Sequence, residues 1–190
     1  TIIFPGCVET IQISLPRNLL LLRELRDSQQ PIVMIPVRDG RGEITSAGDL
    51  EGIGVLARPL VTQTSRDSTC SVTFEAVRRI RLERLTGTEP YLVGDFIELP
   101  PEQDIDSLER ALEKVFSYAV RVLTTDTHYS PEVYEIFKAN RTDIDRFVDV
   151  VSHHLHFPFS EKRSLLSAVF LPEPRAQQRL GRAVTWLLAR

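Results

Sequence analysis

Lysine is scarce in this chain, present only at Lys114, Lys138 and Lys162, and the 23 basic residues are outnumbered by 26 acidic ones. The formal net charge is −3 and the pI is near 5.8. A nucleic-acid binder needs a concentrated basic face to displace counterions from phosphates, so no nucleic-acid partner is expected. Cysteine is nearly absent too. Cys7 and Cys70 cannot make a disulfide framework, and a reduced, cytoplasmic setting is the expectation. Long apolar runs are missing: Leu19–Leu22 and Leu165–Leu171 fall far short of the ~20 residues that cross a bilayer, so no membrane partner is expected. No signal peptide is visible, and the chain opens at Thr1 without a methionine, as a trimmed chain that has lost a targeting segment would.

Several catalytic signatures are absent as well. No G-x-x-x-x-G-K-[ST] loop occurs, nor any Gly-Lys pair, so the backbone cradle and lysine that hold ATP phosphates are not encoded. There is no G-x-S-x-G elbow and no H-E-x-x-H zinc helix. Gly52-Ile53-Gly54 comes closest to a dinucleotide fingerprint but lacks the third glycine and the helix after it. No catalytic residue, cofactor or metal is expected.

What is present is an ordinary globular composition, 42% hydrophobic and 26% charged, on 190 residues. That length suits one generous domain or two small ones. The pattern changes at Pro100-Pro101, where consecutive prolines cannot continue a ladder, so residues 1–99 and 100–190 are read as two subdomains. The first reads as strands. Val8, Thr10 and Gln12 alternate with Glu9, Ile11 and Ile13 after a Pro5-Gly6 turn. Ile32–Val37 is an apolar run whose Pro36 makes it an edge strand or ends it early. Gly52–Val61 follows, then Cys70, Val72 and Phe74 in clean alternation, with Ile80-Leu82 and Tyr91-Val93 carrying the beat into later strands. Turn clusters at Arg38–Gly42, Gln63–Ser68 and Thr86–Thr88 separate them, which predicts a compact curved sheet or partial barrel. One helix, Leu15–Asp27, opens on Pro16 and would cover a mouth of that sheet.

The second subdomain reads as a helical bundle, giving an α+β chain. Ile105, Leu108, Leu112, Val115, Ala119 and Val122 recur at three and four residues, with Asp104 or Asp106 as cap. Ser130-Pro131 reads as the cap and first residue of a second helix, and Asp143 begins a third. Ser160 is expected to cap a fourth, with Phe159 stapled onto Ser164 or Leu165. Leu180, Ala183, Val184 and Leu187 mark a last one.

Three groups of residues invite chemistry. His153, His154 and His156, with His128, could bind zinc if their rings converged, but neighbours on a helix diverge and four ligands are not available on one face. A solvated helix end is the expectation, and a small metal-dependent hydrolase the enzymatic alternative. Asp143, Asp145 and Asp149 read as acids favoured by a helix N-terminus. Glu75 with Arg78, Arg79, Arg81 and Arg84 reads as a solvated charge run on a strand, with an ion pair to Glu75 as the other option.

Five strings now fall in one order: Phe4-Pro5-Gly6, Pro36-Val37-Arg38-Asp39, Gly52-Ile53-Gly54-Val55-Leu56-Ala57, Glu75-Ala76-Val77-Arg78-Arg79 and Pro90-Tyr91-Leu92-Val93. Together they resemble the amino-terminal domain of Lon-type ATP-dependent proteases, a domain also found in free-standing proteins and in the cereblon group. Glu161-Lys162-Arg163, Leu165-Leu166 and Arg179-Leu180 resemble the helices that precede the ATPase in Lon. Two positions depart from the pattern: Ala76 stands where a glycine usually follows the glutamate, and Thr10 lies near a usual proline. The resemblance implies a non-catalytic recognition region that selects and holds unfolded or damaged protein substrates and aids assembly with other protease subunits. It implies weak, sequence-tolerant contacts, with Pro5, Val8, Thr10, Pro59 and Leu60 as substrate-binding candidates at turns. Ordinary core or rim packing is the alternative for each. A free-standing adaptor or ligand-binding module is the alternative for the whole.

Overall fold

The computed structural model describes residues 1–25, 30–38, 44–64, 69–100, 109–126 and 128–167. The chain divides into two compact units, one holding Thr1 and Ile3–Pro100, the other Ile2 and Pro101–Arg190.

The first unit is built on an antiparallel sheet of β1 (Val8–Ile13), β2 (Ile32–Met34), β3 (Ile53–Thr64), β4 (Cys70–Gly87) and β5 (Val93–Glu98). The order is β1-β4-β3-β2, with β5 also on β4. Because Ile80 and Arg81 pair with β3 on one side and β5 on the other, β5 follows β1 along the same edge of β4. The sheet is therefore open, its strands not closed round as a barrel. Ile80 and Leu82 lie in the same 18-residue strand as Cys70, not in a later one, and Thr86-Gly87 ends that strand where a turn was expected. The reason is a pair of irregularities that alternation alone does not reveal. Ala76 faces Ala57 while Arg78 faces Leu56, leaving Val77 as an extra residue; on β3, Pro59 faces Phe74 while Val61 faces Thr73, leaving Leu60 as the extra one. Each bulge shifts the phase of its strand and bends it without ending it.

The local chemistry accounts for these elements. Phe4-Pro5-Gly6-Cys7 closes a turn through the Cys7 N–H on the Phe4 carbonyl at 3.1 Å. Proline at the second position and Gly6 at φ 75° in the third are the requirements of a type II turn. Cys70, Val72, Phe74 and Ala76 then bury one face of β4, joined by Ile53, Val55 and Ala57 of β3. Each large apolar side chain buried there contributes about 1.5–3 kcal/mol. Gly54 is fixed by crowding: a Cβ would stand 2.3 Å from the Met34 carbonyl oxygen. β2 stops at Met34, ahead of Pro36, and Val37 pairs in an isolated bridge to Leu50 outside the strands of the sheet. Helix α1 (Pro16–Leu25) buries none of its residues fully; the Tyr91 hydroxyl ties its end to the sheet by donating to Glu24 at 2.6 Å. That bond holds the Tyr91 phenol above its usual pKa.

The second unit has α2 (Glu109–Thr125), α3 (Pro131–Ala139), α4 (Ile144–His154) and α5 (Phe159–Ser167) among its described residues. Leu112, Val115 and Ala119 of α2 are buried, as are Phe137 of α3, Phe147, Val148 and Val151 of α4, and Leu165 and Leu166 of α5. Phe147 meets Phe116 and Phe137 at 6.0 Å between ring centres. Pro131 opens α3 as expected, but the Ser130 hydroxyl bonds the Glu132 carboxylate instead of a backbone N–H. Asp143 caps α4 by accepting from the Arg146 N–H at 3.0 Å. Ser160 is not a cap: α5 begins at Phe159, the Pro158 carbonyl accepts from the Lys162 N–H, and Phe159 is exposed, not stapled. The expected caps Asp104 and Asp106, the start of the first stripe at Ile105 and Leu108, and the last helix all lie outside the described residues.

Candidate functional site

Three strands meet side by side where β1 and β3 flank the first half of β4. The β4 residues Ser71, Thr73 and Glu75 point away from the buried face formed by Cys70, Val72 and Phe74. Register then dictates the rows of this outer face. Val8, Glu75 and Arg58 lie across the three strands, then Thr10, Thr73 and Val61, then Gln12, Ser71 and Gln63. Arg58 bonds Glu75 at 2.5 Å, and the Thr10 and Thr73 hydroxyls share a bond of 2.9 Å. These interactions occupy Thr73 and Glu75 of the middle strand. They leave Val8 and Val61, 50% and 52% exposed, as the apolar features of the face. Leu60, in the bulge beside Val61, is 49% exposed.

Of the five residues proposed from sequence, only Pro5 lies in a turn, where it is half-buried. Val8 and Thr10 belong to β1, and Pro59 and Leu60 to β3, which continues through the bulge at Leu60. The register brings Val8 and Thr10 onto one face. Pro59 sits opposite, on the face of Phe74, and is half-buried. Val61 was missed. Counted by twos it shares a face with Pro59, and only the extra residue at Leu60 turns it to the outer face beside Thr10 and Thr73. The Glu75 pairing was half legible: its partner is Arg58 on the neighbouring strand, not a cation of its own run, while Arg84 pairs with Asp95 at 2.6 Å. Asp95 also lifts the Arg84 pKa above its ordinary value. Arg79 is buried, so the run is not solvated throughout.

The expected solvated end is met in part: His128 and His156 are exposed, while His153 and His154 are half-buried. His154 packs edge-on against Phe137 at 6.3 Å, His153 stands at 5.0 Å from it, and His156 stacks on Tyr129 at 4.7 Å. His128 bonds Asp126 through its backbone N–H and its ring, and the two bonds hold the Asp126 carboxyl below the usual aspartate range. Among the described residues, no group of three or more His, Cys, Asp or Glu is arranged to hold a metal ion. Asp143 is the helix cap, whereas Asp149 is buried and so is not an acid displayed at a helix end. Another carboxylate, Asp49, receives the backbone N–H groups and hydroxyls of Thr45 and Ser46 at 2.9–3.1 Å, and the backbone bonds above all depress its pKa. No helix among the described residues is long and apolar enough to cross a membrane.

The model of the ATP-dependent protease La (LON) substrate-binding domain matches residues 1–188. Among curated proteins, the chain is 26% identical over 170 residues to Lon protease 1 of Hydrogenovibrio crunogenus, covering 87% of this chain and 20% of that protein. It is 28% identical over 181 residues to Lon protease 4 of Sorangium cellulosum, covering 95% of this chain and 22% of that one. The chain thus spans about a fifth of the length of the curated relatives it matches. Among solved structures, the N-terminal domain of Mycobacterium avium complex Lon protease superposes with a TM-score of 0.76 at 18% identity, covering 99% of this chain and 93% of that one. A Lon N-terminal domain protein from Xanthomonas campestris gives 0.64 at 16% identity, covering 97% and 92%. Those two likenesses establish the fold.

Proposed function

The chain belongs to the LON substrate-binding domain family, and from that membership we propose that it is a non-catalytic recognition region that holds unfolded or damaged protein for an ATP-dependent protease. The observation that carries the reading is the outer face of β1, β4 and β3. Two of its three rows carry polar pairs, Arg58–Glu75 and Thr10–Thr73, the third carries Gln12, Ser71 and Gln63, and its apolar contribution is Val8, Val61 and the neighbouring Leu60. An exposed strand face with a few apolar side chains suits a varied clientele, because it demands few particular side chains of its ligand. In this reading Val8, Thr10 and Leu60 take part in substrate contact, Val61 joins them, and Pro5 and Pro59 shape the strands that present them. Assembly with other protease subunits, and a cytoplasmic setting, belong to the same proposal. The matched relatives are Lon proteases, which favours this reading over a free-standing adaptor.

The test is binding to reduced, carboxymethylated α-lactalbumin, which stays unfolded, with folded α-lactalbumin as control. A dissociation constant of about micromolar for the unfolded form, corresponding to about −8 kcal/mol, is expected, with no measurable affinity for the folded one. A Val8→Ser, Val61→Ser double variant should lose most of that preference. Equal affinity for both forms, or none for either at high protein concentration, would remove substrate holding from the proposal.

A further inference from the structure

We infer that the free edge of β1 is a strand-addition site, taking one extended segment of an unfolded polypeptide through the backbone groups of Val8, Thr10 and Gln12. The inference rests on the substrate-holding reading and specifies where and how the chain is held.

In an antiparallel ladder, residues facing their partner with both N–H and C=O alternate with residues whose groups point away. The phase of the β1–β4 ladder is fixed at its start. The Ala76 N–H donates to the Cys7 carbonyl at 3.0 Å, and the Gly6 N–H to the Ala76 carbonyl at 2.8 Å. Cys7 therefore faces β4, and with it Glu9, Ile11 and Ile13, opposite Phe74, Val72 and Cys70. Val8, Thr10 and Gln12 direct their N–H and C=O groups outward. The close approach of the Thr10 and Thr73 hydroxyls agrees, since side chains come nearest in the non-bonded pairs. Among the described residues those outward groups meet no backbone partner.

The other edges are guarded. Phe74 faces β1, so Pro59 opposite it on β3 occupies an outward position, where proline contributes no donor, and the bulge at Leu60 breaks the spacing next to it. β2 is three residues long and is followed by Pro36. β5 carries two carboxylates, Asp95 and Glu98, where β1 carries one, Glu9, and charge deters pairing. By contrast β1 has six residues without proline, bulge or interruption. Its outward positions bear Val, Thr and Gln, which are uncharged and impose no charge pattern on the ligand. Such a row selects for an extended backbone, the feature that unfolded segments share and a folded surface hides.

The test is residue-resolved amide exchange by NMR on the whole chain, alone and saturated with carboxymethylated α-lactalbumin. In the free chain the amides of Val8, Thr10 and Gln12 should exchange fast while those of Glu9, Ile11 and Ile13 are protected. Saturation should slow the first three by at least about tenfold, giving a two-residue alternation of response. Binding of the probe without such slowing would overturn the edge site and leave substrate holding intact. No binding of the probe would overturn both. Protection of the three amides in the free chain, rising with its concentration, would assign the edge to a second copy and overturn the proposal. A pair of variants checks the mechanism: Thr10→Pro removes an outward donor without touching the β4 ladder and should weaken probe binding at least about tenfold, while Thr62→Pro does the same on the guarded β3 edge and should leave binding unchanged. Equal losses in both, with both folded by circular dichroism, would refute the choice of edge.

Discussion

Replacing Gly54 by alanine tests how tightly the short strand β2 is clamped to β3. The new Cβ would stand 2.3 Å from the Met34 carbonyl oxygen, 2.7 Å from Cγ1 of Ile35 and 3.1 Å from its Cα. Two of those neighbours are backbone atoms, so no rotamer change relieves the contact. Restoring an ordinary separation moves β2 by about 1 Å, enough to break the bonds that join Ile32–Met34 to Val55–Ala57. Losing two or three such bonds at about 1 kcal/mol each, with loosened packing beside buried Ile53 and Val55, gives a destabilisation of about 2–4 kcal/mol. Urea unfolding reads it directly. With a slope of about 2 kcal/mol/M, the midpoint should fall by about 1–2 M. Gly52→Ala is the internal control, since a Cβ there meets nothing within 4 Å, and its midpoint should stay within about 0.3 M of the parent. If the two variants unfold together, Gly54 is not held by crowding and the account of the β2–β3 contact is wrong.

Other expectations follow from named contacts. Asp143→Ala removes the acceptor of the Arg146 N–H and should cost the helical unit about 1 kcal/mol, seen as a lower unfolding midpoint in circular dichroism. Asp49 is held below its usual pKa by the Thr45 and Ser46 N–H groups, so the stability it contributes is complete above the unfolded aspartate value and is lost as pH falls through the lower folded one. Asp49→Asn should therefore flatten the stability profile below about pH 4, and an unchanged acid slope would contradict the assignment. Arg58 and Glu75 are both substantially exposed, so a double-mutant cycle should give no more than about 1 kcal/mol, shrinking in high salt. A larger, salt-independent coupling would mean that the pair does more than tidy the outer face.

Where alternation was regular, the sequence could be read almost residue by residue: Cys70, Val72 and Phe74 are buried as their spacing requires, and Pro36 does end the short strand. Proline and glycine were legible because their chemistry is local, as the Phe4–Cys7 turn illustrates. The bulges were not. An extra residue at Leu60 or Val77 has no composition of its own and is defined only by what lies across the ladder. Two errors trace to it, the division of β4 into separate strands and the omission of Val61 from the candidate face. The histidines illustrate another limit. His153 and His154 lie on α4 and His156 just beyond its end, and the packing of His154 on Phe137 and His156 on Tyr129 depends on a helix and a loop distant in sequence, which spacing does not reveal.

The proposed edge and the apolar face need each other energetically. Pairing an extended segment along β1 engages two backbone groups on each of Val8, Thr10 and Gln12, about six hydrogen bonds at a net ~1 kcal/mol each. Ordering about six residues of a disordered ligand costs about 1 kcal/mol per residue or more. Those terms cancel to within a few kcal/mol, so backbone pairing by itself fixes direction and extension but not affinity. Affinity has to come from side chains of the bound segment that reach Val8 and from flanking residues of the same chain that cross β1 and β4 to Val61 on β3, and burying about 200 Å² of apolar surface there adds about 5 kcal/mol. A segment that is polar throughout should therefore dissociate quickly even if it is extended, and a folded apolar patch should not enter at all. Selection by two weak criteria, an available backbone and an occasional apolar side chain, describes an unfolded chain without prescribing its sequence. The same weakness means that a single copy should release its ligand readily, and that several copies held together would retain a long chain far better than one.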